Sequence, residues 1–191
     1  MPGTPVSLHT DLYRYWEAKR GARAMPARRD IEPAEIPALL PYLTLIDRRD
    51  GHFRYRLVGT AVAEELGRDM TGQDVGSYVS PPQYAAALAG IYERVFSTGR
   101  ALFTTGEYRG RSAAIHAVSR LMLPLGADGQ HADMVLFTRI ARFHPSITAG
   151  ADWLKGASGK VCDIAEVGSA EDIAALSRAW ERACEASNAA A

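Results

Sequence analysis

One unbroken amphipathic run constrains this chain more than any other feature. Between Ser80-Pro81-Pro82 and Gly99, the residues Tyr84, Leu88, Ile91, Tyr92, Val95 and Phe96 recur at the spacing of one helix face. Proline at the start and glycine at the stop bound a helix over Pro82 to Thr98. Strand-like runs flank it: Leu43 to Arg48 and Phe53 to Val58 before, Ala101 to Tyr108, Ala113 to Leu123 and Asp133 to Arg142 after. A helix set between a hairpin and a three-stranded meander predicts an α+β fold, in which a curved antiparallel sheet cups helices on one face. Such a shape encloses a pocket, and the pocket is where function is expected.

The connections support that reading. Arg49-Asp50-Gly51-His52 places Asp-Gly between two strand-like runs, a hairpin signal. Arg109-Gly110-Arg111 and Gly126-Ala127-Asp128-Gly129 are glycine-bearing turns. Gly59 ends the second strand, and Thr60 can cap a short helix over Ala61 to Leu66. In the second strand, alternation sends Phe53, Tyr55 and Leu57 one way and Arg54, Arg56 and Val58 the other. The fourth and fifth strands are apolar on both faces, so the sheet is expected to be covered on both sides.

Outside this stretch the chain is helical at both ends. Residues 7 to 20 carry Leu8, Leu12, Tyr15 and Trp16 at helical spacing, with Gly21 as a stop. This helix either packs on its own domain or serves a dimer. Asp30-Ile31-Glu32-Pro33 reads as a second helix start, with Ile36, Leu39 and Leu40 on one side and Pro41 at the end. Residues 144 to 169 are rich in Gly, Ser and Ala without a long period, and 170 to 187 return to a helix striped by Ile173, Leu176, Trp180 and Cys184. The expected organisation is a helical cap or dimerisation segment over 1–41, a central domain over 42–143, and a linker with a C-terminal helix over 144–191.

The order of these elements resembles a PAS domain. Phe53 to Gly59 leads into Thr60 to Gly67, then Met70-Thr71-Gly72, then the long helix to Gly99, a polar strand ending near Glu107, and the Pro124 to Gly129 hairpin. Leu12 to Arg29 and Asp30-Ile31 through Leu40-Pro41 further resemble the N-terminal part of a bacterial family of small stand-alone PAS proteins. The resemblance implies five antiparallel strands in the order 2-1-5-4-3. It implies a sensor of a small molecule or a protein partner, without an output domain of its own. Many PAS domains carry Asn where this chain has Gly59, so side-chain capping is not expected there.

Composition and chemistry narrow the function. Lys plus Arg and Asp plus Glu are each 22, and a net charge of zero lacks the basic excess that non-specific nucleic-acid binding needs. No apolar run reaches the length of a membrane span, and Met1-Pro2-Gly3-Thr4 does not open like a secretion signal, which makes a cytoplasmic protein the expectation. A haem sensor of this fold needs an axial His on the long helix, and none is present. A flavin photosensor needs a Cys between Gly59 and Gly99, but the two cysteines are Cys162 and Cys184. No covalent cofactor, haem, flavin or metal is therefore expected, and the five histidines show no metal-ligand spacing. Neither a nucleophile elbow nor a phosphate loop occurs.

The candidate ligand-binding residues are Arg56, Val58, Tyr84, Tyr92, His116 and Arg120. Arg56 suits an acidic ligand because its planar fork pairs with carboxylate; the alternative is an ion pair with a helix carboxylate such as Glu64 or Glu65. Tyr84 and Tyr92 offer hydroxyls or are simply core. His116 and Arg120 share a strand face that lines the cavity or faces solvent. The leading expectation is a homodimeric, non-enzymatic sensor binding an unknown small molecule non-covalently and signalling to a kinase or regulator. Its alternatives are a protein-interaction module with a side-chain-filled core, and a hot-dog-like thioesterase using Glu93.

Overall fold

A computed structural model describes residues 4–77, 82–109, 115–142 and 158–189. Six strands form one sheet: β1 (Leu43–Arg49), β2 (His52–Val58), β3 (Leu102–Arg109), β4 (Ile115–Leu125), β5 (Met134–Arg142) and β6 (Ser158–Glu166). The order is β2-β1-β5-β4-β3-β6, and every pair is antiparallel. The first five strands follow the expected order. The sixth was not anticipated: a stretch read as lacking a long period extends the sheet by pairing along the whole of β3. Its sequence, Ser-Gly-Lys-Val-Cys-Asp-Ile-Ala-Glu, alternates only loosely, so it carries little strand signal of its own.

The helices are α1 (Pro5–Arg20), α2 (Thr60–Leu66), α3 (Pro82–Thr98) and α4 (Ala170–Ala189). The α1 N-terminus is set by Thr4, whose hydroxyl accepts from the Ser7 amide. No α-helix forms between Asp30 and Pro41, where a second helix was expected. Residues Arg28–Asp30, Pro33–Glu35 and Leu40–Tyr42 make three short 3-10 turns instead. Pro33, Pro37 and Pro41 explain the difference, since each removes an amide donor and restricts the residue before it.

Two connections fix the sheet's geometry. Asp50 and Gly51 both take positive φ, 51° and 80°, as the tight β1–β2 hairpin requires. Gly59 starts α2 without a side-chain cap. A Cβ there would collide with the carbonyl oxygens of both Leu40 and Pro41, so glycine permits a close backbone crossing.

The sheet is covered on both faces. On one, the buried α3 residues Tyr84, Leu88, Ile91, Tyr92, Val95 and Phe96 pack on Val118, Met122, Val135 and Phe137. The long helix thus lies across the sheet as its period predicts. On the other face, Leu8, Leu12, Tyr13 and Trp16 of α1 join Leu121, Leu123, Leu136 and Ile140, with Ile173 and Trp180 of α4 completing the cluster. The apolar side of α1 is therefore occupied by its own domain. Trp16 Nε1 donates to the Pro124 carbonyl at 2.7 Å, and Tyr13 donates to the Gly168 carbonyl at 2.7 Å. One turn before Tyr13 on α1, His9 is fully buried, with Nδ1 2.6 Å from the Thr138 hydroxyl and Nε2 2.9 Å from the Ser119 hydroxyl.

Candidate functional site

On the α3 face, neighbouring strands place three polar side chains in a row. Thr104 of β3 is the register partner of Arg120 of β4, which is the partner of Arg139 of β5. All three are buried. Arg120 Nη2 donates to the hydroxyl of Tyr84 on α3 at 3.0 Å and to that of Tyr108 on β3 at 2.9 Å. Tyr84 in turn donates to Tyr108 at 2.8 Å, and the two rings meet edge to face. Arg139 is ion-paired with Glu65 at the end of α2, and its guanidinium also lies against the Tyr108 ring.

The backbone makes room for this cluster. Gly106 lies beneath Arg120, where a Cβ would approach Nη1 to 3.7 Å and the Lys160 carbonyl of β6 to 2.9 Å. Gly159 of β6 lets the Tyr84 ring lie flat on the strand, since a Cβ there would fall 2.6 Å from the ring. Both glycines serve close approach. Strand β6 thus forms part of the site's wall, and Arg94 of α3 reaches Glu166 of β6 at 2.8 Å.

The electrostatics follow from burial and convergence. Burial pushes the Tyr84 and Tyr92 phenols above their usual pKa. Burial also opposes ionisation of Tyr108, but the nearby Arg120 and Arg139 guanidiniums and the hydrogen bond from Tyr84 outweigh it, and its pKa falls below the usual value. Tyr108 is therefore the phenol of the pair that yields its proton more readily.

Of the residues expected to bind ligand, the structure brings Tyr84, Tyr92 and Arg120 into one buried cluster. Tyr92 stacks on Phe137 and meets Phe53 edge to face. Val58 packs at the margin of the same cluster. Arg56 does not join it. The β1–β2 ladder shifts between Leu45 and Ile46, leaving Arg56 as the extra residue of a bulge. The bulge breaks the expected alternation: Val58 falls with Phe53 and Tyr55, while Arg56 Nε lies 3.5 Å from the buried Asp47 carboxylate. Its partner is thus a strand residue rather than a helix glutamate. His116 pairs with Tyr108 along the backbone, but its side chain lies outside the described residues. Glu93, the residue of the thioesterase reading, is half-exposed and bonded to Arg48 at 2.7 Å.

Sequence reasoning missed Tyr108, Arg139, Glu65 as the partner of Arg139, and His9. A signal existed for the arginines. Val118-Ser119-Arg120-Leu121-Met122 and Leu136-Phe137-Thr138-Arg139-Ile140 each carry one cation inside an apolar strand, a pattern that costs stability unless the charge is met. Among the described residues, no group of three or more His, Cys, Asp or Glu side chains is placed to hold a metal ion.

Residues 5–138 match the PAS domain family. The chain belongs to that family, which places its role in sensing or regulation. Among solved structures it is similar to a LOV protein of Rhodobacter sphaeroides, with 18% identity, a TM-score of 0.47, and coverage of 73% of this chain and 88% of that one. It is also similar to the PAS domain of an HTR-like protein from Haloarcula marismortui, with 19% identity, a TM-score of 0.41, and coverage of 57% and 90%. A third similar structure is Vibrio cholerae VqmA in a ligand–DNA complex, with 16% identity, a TM-score of 0.41, and coverage of 61% and 54%. No curated protein matches the chain.

Proposed function

We propose that this PAS protein is a non-enzymatic sensor that binds a small molecule non-covalently on the α3 side of its sheet and acts through a protein partner. The observation that carries this reading is the buried polar cluster of Arg120, Tyr84 and Tyr108. A domain that needed only a packed core would avoid a buried guanidinium there, because desolvating a cation costs several kcal/mol unless it is met by charge and hydrogen bonds. Helix α3 and strand β6 both touch the cluster, so a molecule seated there would shift two elements at once. Native mass spectrometry of protein taken directly from cells tests the reading. A defined extra mass, lost in Tyr84→Phe, supports it; the bare chain mass in every preparation counts against it.

A second reading is a protein-interaction module with a filled core. Tyr84, Tyr92, Met122 and Phe137 are each at most 2% exposed and pack closely together, which favours it. Co-purification of one defined partner with both the wild type and Tyr84→Phe, with no small molecule present, distinguishes it from the first.

A further inference from the structure

Among the described residues, the buried charged side chains of the α3-side core are two guanidiniums, Arg120 and Arg139, and one carboxylate, Glu65. Arg120 and Arg139 are direct cross-strand partners, both buried and on the same sheet face. Like charges directly opposite on paired strands are destabilising, and more so without solvent between them. Arg139 has Glu65. Arg120 has only two phenol hydroxyls, and among the described residues no carboxylate lies within ion-pair distance of it. Its buried Nη1 has no hydrogen-bond partner among the described residues, where Arg139, whose Nη atoms also lack one, at least has the Glu65 carboxylate beside it. One edge of a guanidinium is thus satisfied by tyrosines, while the other presents unused donors.

We propose that the ligand of this site is an organic acid carrying a single carboxylate, to which Arg120 Nη1 donates, with an apolar body held among the α3-side side chains. This inference rests on the sensor reading above and specifies its ligand. The charge count decides the class. Two guanidiniums against one carboxylate leave one unmatched positive charge, which a monocarboxylate neutralises. A phosphate monoester, close to a dianion at neutral pH, would leave a negative excess. The surroundings decide the rest: on the same sheet face Val118 and Met122 stand two residues either side of Arg120, and Leu102 is the register partner of Met122, so buried apolar side chains flank the charged group, as in a small-molecule site with one orienting polar group.

Thermal unfolding and calorimetry with acetate, benzoate and octanoate test this directly, with acetamide, benzamide, octanamide and inorganic phosphate as controls. At least one acid is expected to raise the melting temperature by roughly 5–10 °C at a hundredfold excess over its Kd. Its amide and inorganic phosphate should not. Arg120→Met is expected to weaken acid binding about 100-fold, and Arg120→Lys, which keeps the charge but loses the fork, to weaken it less. Should Arg120→Met fail to fold, the acid–amide comparison on the wild type decides alone. Acid and amide acting equally would overturn the proposal, as would no acid acting at all. The two failures are distinguishable. A neutral molecule found bound by native mass spectrometry would leave the sensor reading standing and remove only the acid. A tyrosinate absorbance near 295 nm at pH 7, lost in Tyr108→Phe and accompanied by no bound mass, would show the charge neutralised from within and would remove both.

Discussion

Acidification should loosen the seam between α1 and the sheet through one residue. His9 is fully buried between the Ser119 and Thr138 hydroxyls, and burial lowers its pKa to about 3 from the usual 6.5. In the unfolded chain it takes up a proton as the pH falls through 6.5, whereas in the folded chain it stays neutral until about 3. Between those values the unfolded state binds more protons, so stability rises with pH and falls on acidification. From pH 6.5 to 5.0 the loss accumulates over one and a half units at about 1.4 kcal/mol each, roughly 2 kcal/mol. Urea unfolding of the wild type and His9→Gln at several pH values between 7.5 and 5.0 reads this difference. Carboxylates titrating in the same range contribute to both proteins and cancel. The wild type should lose about 2 kcal/mol more than the variant. Parallel pH profiles would refute the reasoning and mean that His9 reaches water.

Further outcomes follow from close contacts and buried charge. Glu65→Gln should destabilise the fold by about 3–5 kcal/mol by leaving Arg139 unmatched beside Arg120, and Glu65→Gln with Arg139→Met should recover most of that loss in chemical denaturation. Gly59→Ala should cost about 2 kcal/mol or more, read as a lower urea midpoint, because its Cβ would press on the Leu40 and Pro41 carbonyls. Trp16→Phe should cost about 1–3 kcal/mol by leaving the buried Pro124 carbonyl without its donor, and a circular dichroism melt shows it as a lower transition temperature.

Periodicity revealed the parts of the fold that repeat. The six-residue apolar face of α3 located that helix from Pro82 to Thr98, and the Asp50-Gly51 turn located the β1–β2 hairpin. Prolines overrode helical spacing between Arg28 and Tyr42, where three 3-10 turns form. Strand β6 was hidden because its pairing with β3 comes from tertiary contact rather than from a pattern of its own. At the candidate site, Tyr84 and Tyr92 were legible as aromatic residues on the apolar face of α3, whereas for Arg120 the sequence left open whether its strand face lines a cavity or meets solvent. Arg56 was misplaced because one bulge residue reverses the alternation that follows it. Tyr108, Arg139 and Glu65 come from three elements distant in sequence, and only the sheet register and the packing of α2 against it bring them together. His9 was hidden for a related reason: nothing within α1 shows that two hydroxyls await it on β4 and β5.

A crystal structure of the protein purified directly from cells is the closest test of the sensing core. The account predicts electron density for a bound molecule within hydrogen-bonding distance of Arg120 Nη1, walled by Tyr84, Tyr108 and β6. A guanidinium met there by a carboxylate of the chain itself, in a core with no room beside it, would contradict it.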